Sequence, residues 1–298
     1  MQNLPLNTSI VCHDIGSANI IFSSLLHTGR CDWRPYLLGP AKRVWSQMFP
    51  GIKIFHSLED ALHSSSFLIT GAGWGGNIEH EARKLAKKSN FKSVAVVDHW
   101  INYEERFIRD GEKILPNEIW VADKFALNVA CKIFQEIPIQ QIPNLYLEGE
   151  LKSLRPIDRI ENPELVYMLE PTRAYWGRDE PGEFQALDYF ISHLPLLNLP
   201  TETLIRLRPH PADEAHKYDG WIKRQLGHRI LLDSSRSVSE ALVNAKWVVG
   251  CESSALIIAL IAGREVYCSL PPWAPPCRLP HEGLRYLREL KGASNAIL

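Results

Sequence analysis

The sequence predicts an α/β protein built as two doubly wound, parallel-sheet domains facing a cleft, and three observations carry that expectation. Short apolar runs alternate with polar or glycine-bearing loops and amphipathic stretches along most of the chain. The runs are nearly continuous in apolar residues instead of alternating, as strands covered by helices on both faces require. At 298 residues the chain is long enough for two domains of about 150 residues, each able to bury its own core.

In the first domain, 1–154, Ser9-Ile10-Val11-Cys12 reads as a strand that runs into His13-Asp14-Ile15-Gly16-Ser17 and a helix over about 18–26. Tyr36-Leu37-Leu38-Gly39 is the next strand, followed by a helix through Val44-Trp45. Phe67-Leu68-Ile69-Thr70 ends in the glycine-rich loop Gly71-Ala72-Gly73-Trp74-Gly75-Gly76, and a charged helix follows over 78–88. Residues 93–97 lead into Asp98-His99-Trp100, and 118–122 lead into a helix starting near Asp123. Five or six parallel strands result. The polar, proline-bounded segment 155–164 has no apolar period and reads as the interdomain linker.

The second domain, 165–298, opens on Leu165-Val166-Tyr167-Met168-Leu169, which ends at Glu170-Pro171-Thr172-Arg173. Strands are expected over 203–207, 229–232, 247–250 and 265–268, and helices over about 182–194, 238–244 and 255–262. The proline-rich Pro271-Pro272-Trp273-Ala274-Pro275-Pro276 reads as a rigid loop. The tail, 284–290, has helical spacing and is expected to pack back against the first domain.

Charges nearly cancel, with 33 Lys+Arg against 34 Asp+Glu, which argues against nucleic acid as a partner. The N-terminus lacks a basic segment followed by an apolar run, and no stretch approaches the roughly 20 apolar residues that cross a bilayer, so a soluble cytoplasmic chain is expected. The six cysteines lie far apart with no C-x-x-C pair, and the histidines show no ligand spacing, so neither a zinc site nor a redox dithiol is indicated and no metal or cofactor is expected. Cys251 reads as a buried structural thiol. The basic run from Arg83 to Lys88 reads as a solvated helix face, or as a contact for a lipid-linked partner at a membrane.

The most informative pair of loops lies in the second domain. Arg208-Pro209-His210-Pro211 ends one strand, and the prolines stiffen the loop that holds the imidazole. Gly250-Cys251-Glu252-Ser253-Ser254 ends another and opens an apolar helix, whose free N–H groups and positive dipole end favour an anion. Both loops suit a phosphate and point to a nucleotide sugar, although Ser253 and Ser254 also read as plain caps. Around them, Arg208 reads as a phosphate contact or as the partner of Glu252, Glu252 as an acceptor for ribose hydroxyls or a dipole-stabilised acid, and Arg173, beside Thr172, as a phosphate or interface residue.

In the first domain Asp14 and Asp98 follow strands directly and belong at the carboxyl edge of the sheet. Asp14 reads either as a general base or as a helix N-cap; it follows His13 and precedes Gly16-Ser17-Ala18, a turn whose small residues permit close approach of a ligand, so that His13, Gly16 and Ser17 are candidate sugar contacts. Asp98-His99, a carboxylate beside an imidazole, is the other catalytic candidate and leaves open which aspartate is the base, with Trp100 and Tyr103 placed to stack on a sugar; it also reads as a capped helix with an aromatic docked in the core. The glycine-rich loop, with Gly73 and Trp74, lacks the lysine of a P-loop and reads better as an acceptor-sugar contact or as a flexible loop.

Two such domains, with an Arg-Pro-His-Pro loop and a Glu-Ser-Ser-Ala helix start in the second, resemble the GT-B architecture of glycosyltransferases. The histidine-proline and serine-pair motifs are similar to those of bacterial sialyltransferases and polysialyltransferases, in which such residues hold the phosphate of the CMP leaving group; here they are His210 and Ser253 or Ser254. The block from Val97 through Asp98-His99-Trp100-Ile101-Asn102-Tyr103 to Arg106-Phe107, with Ile119-Trp120-Val121-Ala122-Asp123, also looks like proteins of bacterial surface-polysaccharide pathways that use nonulosonic acids. The resemblance implies an inverting, metal-independent transferase that moves a nonulosonic acid (sialic, pseudaminic or legionaminic) from its CMP form to a glycan or lipid-linked glycan, in the cytoplasm or at the membrane's inner leaflet. One departure stands out: the acidic-acidic-glycine motif that carries the family's base is absent, and His13-Asp14-Ile15-Gly16 is its nearest equivalent. Two other readings stay open: an epimerase or hydrolase of UDP-linked amino sugars, and a non-catalytic subunit that binds nucleotide sugars.

Overall fold

The computed structural model describes residues 4–73, 76–170, 176–177, 179–211 and 213–290. The chain divides into two compact units, Met1–Glu148 and Gly149–Leu298. The segment 155–164 belongs to the second and carries one short 3-10 turn, Ile157–Arg159. Among the described residues no helix is long and apolar enough to cross a membrane.

In the first unit the strands are β1 (Ser9–Cys12), β2 (Arg34–Leu37), β3 (Phe67–Thr70), β4 (Lys92–Val97), the hairpin strands β5 (Ile108–Arg109) and β6 (Glu112–Lys113), β7 (Glu118–Val121) and β8 (Ile139–Gln141). Helices α1 (Ile15–Leu26), α2 (Gly39–Met48), α3 (Leu58–Leu62), α4 (Ile78–Lys88) and α5 (Lys124–Ile133) connect them, and α6 (Leu145–Lys152) follows β8. Apart from the hairpin, the strands form one parallel sheet in the order β2-β1-β3-β4-β7-β8. The central strands β1 and β3 are buried at every residue, whereas β8 at the edge is largely exposed. One face packs Ile10, Ile69, Val94 and Val96 against Phe22, Trp45 and Phe49, while on the other Val11 and Leu68 meet α3 and α4 and Ala95 and Val97 meet α5. The Trp45 ring stacks on Phe49 at 4.2 Å and meets Phe22 edge-on at 4.9 Å. Each such ring pair adds about 0.5–1.5 kcal/mol beyond its buried area.

In the second unit β9 (Glu164–Met168), β10 (Ile205–Arg208), β11 (Ile230–Leu232), β12 (Ala245–Gly250), β13 (Glu265–Cys268) and β14 (Arg285–Tyr286) form a parallel sheet in the order β11-β10-β9-β12-β13-β14. Its helices are α7 (Gly182–His193), α8 (Asp219–Arg224), α9 (Val238–Leu242) and α10 (Ser254–Ile261). The α/β class and the parallel sheets agree with the sequence reading. The tail does not: Arg285 and Tyr286 pair with Tyr267 and Cys268 as an edge strand, and Leu287 is buried in the second core. Only Leu287–Glu289 winds, as one 3-10 turn, and the open backbone of β13 offers the two residues before it a ladder. β8 was hidden by the prolines at 138 and 143, which an edge strand tolerates and a central strand does not.

The direction in which strands are added reverses between β1 and β3 in the first sheet and between β9 and β12 in the second. Loops leaving these strands at their carboxyl ends splay apart, and the crevice between them is where doubly wound sheets bind ligands. The first crevice is bordered by His13-Asp14 and Gly71-Ala72-Gly73, the second by Leu169-Glu170 and Cys251-Glu252-Ser253.

The N-terminal segment is fastened by Arg30 and Asp32, between α1 and β2. Arg30 donates to Asp32 through Nε at 2.8 Å and Nη2 at 2.6 Å, and also to Leu4 O and Pro5 O, while Asn7 N donates to Asp32 at 2.9 Å. The Arg30 guanidinium lowers the Asp32 carboxyl from 3.8 to about 2. Because the folded value lies below the unfolded one, this stability is present above about pH 4 and is lost as pH falls through about 2. Asp32→Asn is expected to lower Tm near neutral pH, with the gap to wild type closing in acid; a gap that persists in melts near pH 2 would contradict this.

Candidate functional site

At the first crevice a set of polar side chains converges on the loop 71–73. Asp14 occupies the N-cap position of α1, yet its side chain makes no capping bond to that helix. Its Oδ1 instead meets His13 Nδ1 at 2.6 Å, and both side chains are partly exposed. Asp98, just past β4, accepts from Ser17 Oγ at 3.2 Å and from Arg106 Nη1 at 3.3 Å. Ser17 Oγ in turn accepts from Ala72 N at 3.4 Å, and Arg106 Nη1 donates to Ala72 O at 2.8 Å. Arg109, from the hairpin, donates to Gly73 O at 2.7 Å.

Two glycines explain how the acids come so close to backbone. A Cβ on Gly16 would lie 1.7 Å from Asp98 Oδ2, and one on Gly73 would lie 2.0 Å from Asp14 Oδ2. Each carboxylate therefore rests on space that only glycine leaves. Of the residues assigned here from sequence, His13, Asp14, Gly16, Ser17, Gly73 and Asp98 are brought together.

The sequence reading missed what lies beneath. Glu79, in the first turn of α4 and 2 % exposed, accepts from His13 N at 3.1 Å and Gly73 N at 2.9 Å. Burial pushes its carboxyl up, and the charge of Arg83 opposes this. Arg83 is itself buried, which lowers its guanidinium to about 10, and it donates to Thr70 Oγ1, Gly71 O and Ile114 O. From the sequence, Glu79 reads as an ordinary acid at a helix start.

In the second unit His210 follows β10 and Ser253 follows β12, so both loops leave the same carboxyl edge of one sheet, on the strands that flank β9. The His210 loop is fixed by Asp213, which accepts from His210 N at 2.8 Å and Tyr218 OH at 3.2 Å and pairs with Lys217 at 2.7 Å. Ser253 caps α10 by accepting from Ala255 N, and Ser254 is the exposed first residue of that helix. Cys251 is buried, and Glu170 Oε1, at the end of β9, accepts from Cys251 N at 3.1 Å and also from Glu252 N.

Several expectations need correction. Arg208 does not reach Glu252: its Nη1 donates to Asp233 Oδ2 at 2.7 Å and Ser235 O at 2.9 Å, and Arg206 shares the same buried Asp233. Glu252 is 3 % exposed and both its oxygens are taken by Arg278, at 2.7 Å from the backbone N, 3.1 Å from Nε and 2.8 Å from Nη2. It anchors the loop after β13 and does not stand open to ribose hydroxyls. Tyr103 is 2 % exposed in the core beside Phe134, so the aromatic assigned to sugar stacking is a packing residue. Trp100 is partly buried, and its indole N–H donates to Asp123, the cap of α5. His99 Nδ1 accepts from Trp100 N at 2.9 Å, which puts the ring hydrogen of the neutral form on Nε2. Trp74, Thr172 and Arg173 lie outside the described residues. Among the described residues no group of three His, Cys, Asp or Glu is arranged to hold a metal ion.

Neither a family model nor a curated protein sequence matches this chain. Solved structures do. The UDP-GlcNAc 2-epimerase of Methanocaldococcus jannaschii superposes with a TM-score of 0.58 at 13% identity, covering 88% of this chain and 83% of that one. An S. aureus MnaA–UDP co-structure gives 0.61 at 10% identity, covering 88% and 78%. A variant of the wall teichoic acid polymerase TagF gives 0.52 at 12% identity, covering 89% and 71%. At these identities the likeness is one of fold, and the chain has the GT-B-like architecture of two parallel-sheet, Rossmann-like units.

Proposed function

We propose that this chain is an enzyme of nucleotide-activated sugars, acting as an inverting, metal-independent glycosyltransferase with a CMP-linked nonulosonic acid as donor and a bacterial surface glycan, free or lipid-linked, as acceptor. The observation that carries this reading is the shared sheet edge of the His210 and Ser253-Ser254 loops, one an imidazole and the other a hydroxyl-bearing helix start, on either side of β9. Such a pair suits the phosphate of a departing nucleotide.

The first unit supplies the other half of the chemistry. In an inverting transfer the acceptor oxygen bonds to the anomeric carbon as the bond from that carbon to the phosphate oxygen breaks. The acceptor proton goes to a base, and the electron pair leaves on the nucleotide phosphate. Asp14 is assigned as the base because its carboxylate, paired with His13, lies beside the glycine loop. Asp98 is held by Arg106 and Ser17 and is assigned to orienting the acceptor. His210 and the serine hydroxyls donate to the leaving phosphate.

A second reading has its own support: solved structures with this fold include UDP-GlcNAc 2-epimerases. In that case the carboxylates of the first unit would exchange a proton with a sugar carbon. Incubating UDP-linked amino sugars with the protein in deuterated water separates the two readings, since only the epimerase incorporates solvent deuterium.

Calorimetric titration with CMP, UDP and GDP is expected to show binding of CMP over the other two. Preference for UDP would overturn the nonulosonate version and favour the epimerase. His210→Ala should weaken nucleotide binding by about tenfold, close to 1.4 kcal/mol; unchanged affinity would remove its role. Asp14→Asn should lower kcat by about 10²–10⁴-fold at unchanged nucleotide affinity, the range of a lost general base. Gly16→Ala should displace the Asp98 carboxylate and raise the acceptor KM without altering nucleotide affinity; a wild-type acceptor KM would show that Asp98 does not touch the acceptor.

A further inference from the structure

We infer that Glu79 is the positioning residue of the first crevice, holding the two loops that border it, and thereby Asp14, in register. The inference rests on the reading of Asp14 as the base. Doubly wound sheets open a crevice because the strands on either side of the reversal send their loops in opposite directions. Here those strands are β1 and β3; His13 directly follows the first, and Gly73 lies three residues past the second. Their backbone N–H groups point to one carboxylate, Oε1 of Glu79 taking His13 at 3.1 Å and Oε2 taking Gly73 at 2.9 Å. The two loops are thus joined through a single side chain.

Both loops also carry the base. Asp14 follows His13 directly and bonds its imidazole, and its other oxygen lies against the α-carbon of Gly73. Glu79 thus fixes the backbone on both sides of that carboxylate. Its fit is tight, since a Cβ on Gly71 would lie 2.4 Å from Glu79 Oε1. The charge is matched by Arg83 one turn along α4, itself bonded to Thr70 and Gly71 at the end of β3. A glutamine of the same shape cannot replace Glu79, because its amide has one acceptor oxygen for two donors and its NH₂ would face a second N–H group.

Hydrogen exchange read on peptides containing His13 and Gly73 tests this without any substrate. Glu79→Gln should speed exchange at one or both amides, whereas wild-type protection at both would overturn the inference. In turnover, kcat should fall by about 10²-fold, the scale set by misplacing a reacting group by an ångström. The nucleotide Kd should stay at its wild-type value; an unchanged kcat, or a loss expressed only in Kd, would also overturn it. Glu79→Gln strands the buried Arg83 charge, so the double variant Glu79→Gln/Arg83→Met, with both charges removed, is measured beside it and should show the same faster exchange at the His13 amide, to which Arg83 makes no bond. If the wild-type chain bound no nucleotide and turned over no donor, the proposed function would fall, and exchange at the two amides would still decide the role of Glu79.

Discussion

Backbone N–H groups beyond the carboxyl ends of parallel strands have no ladder to join, and once helices cover the sheet they must find acceptors or stay wet. In each unit a buried carboxylate answers this need at the point where the strand order reverses. Glu79 accepts from the loops after β1 and β3, and Glu170, at the end of β9, accepts from two consecutive N–H groups after β12. Asp14, Gly73 and the serine cap of α10 each lie in or next to a loop that one of these buried acids holds.

Much of the fold was legible because central strands of a covered sheet must be apolar throughout, and β1, β3, β4, β9 and β12 each carry such a run. Elements at the margins were harder to read. β8 is mostly exposed and lies between prolines, and β14 sits among Leu284, Leu287 and Leu290, whose helical spacing misleads in so short a stretch. Local pattern reports what a segment prefers, and these segments are decided by an open strand edge beside them.

At the candidate site, loops that directly follow apolar strands are readable from sequence, which is why His13, Asp14, Ser17, Asp98, His210 and Ser253 could be placed at the carboxyl edges of the sheets. Their partners could not be. Asp233, which holds Arg208, and Arg278, which holds Glu252, lie 25 and 26 residues away in sequence, and only the folded sheet brings them near. Arg208 and Glu252 looked functional because each is a charge next to a candidate ligand group. Both are instead neutralised by distant opposite charges, as buried ions generally are. Tyr103 misled for the opposite reason, since an aromatic next to polar residues reads as exposed when it is in fact docked under α5.

The two sheets are wound differently, and their crevices have unequal neighbours. The reversal in the second sheet has three strands on each side, so loops of the sheet itself flank it evenly. In the first sheet only β2 lies beyond β1, and three strands lie beyond β3. On that short side α2 takes over the work of a missing strand. Its first residue, Gly39, adopts a φ of +52°, and a Cβ there would come within 2.6 Å of the His13 ring. One bare α-carbon at a helix start thus serves as the wall against which the imidazole rests, and any side chain at position 39 would have to displace that ring.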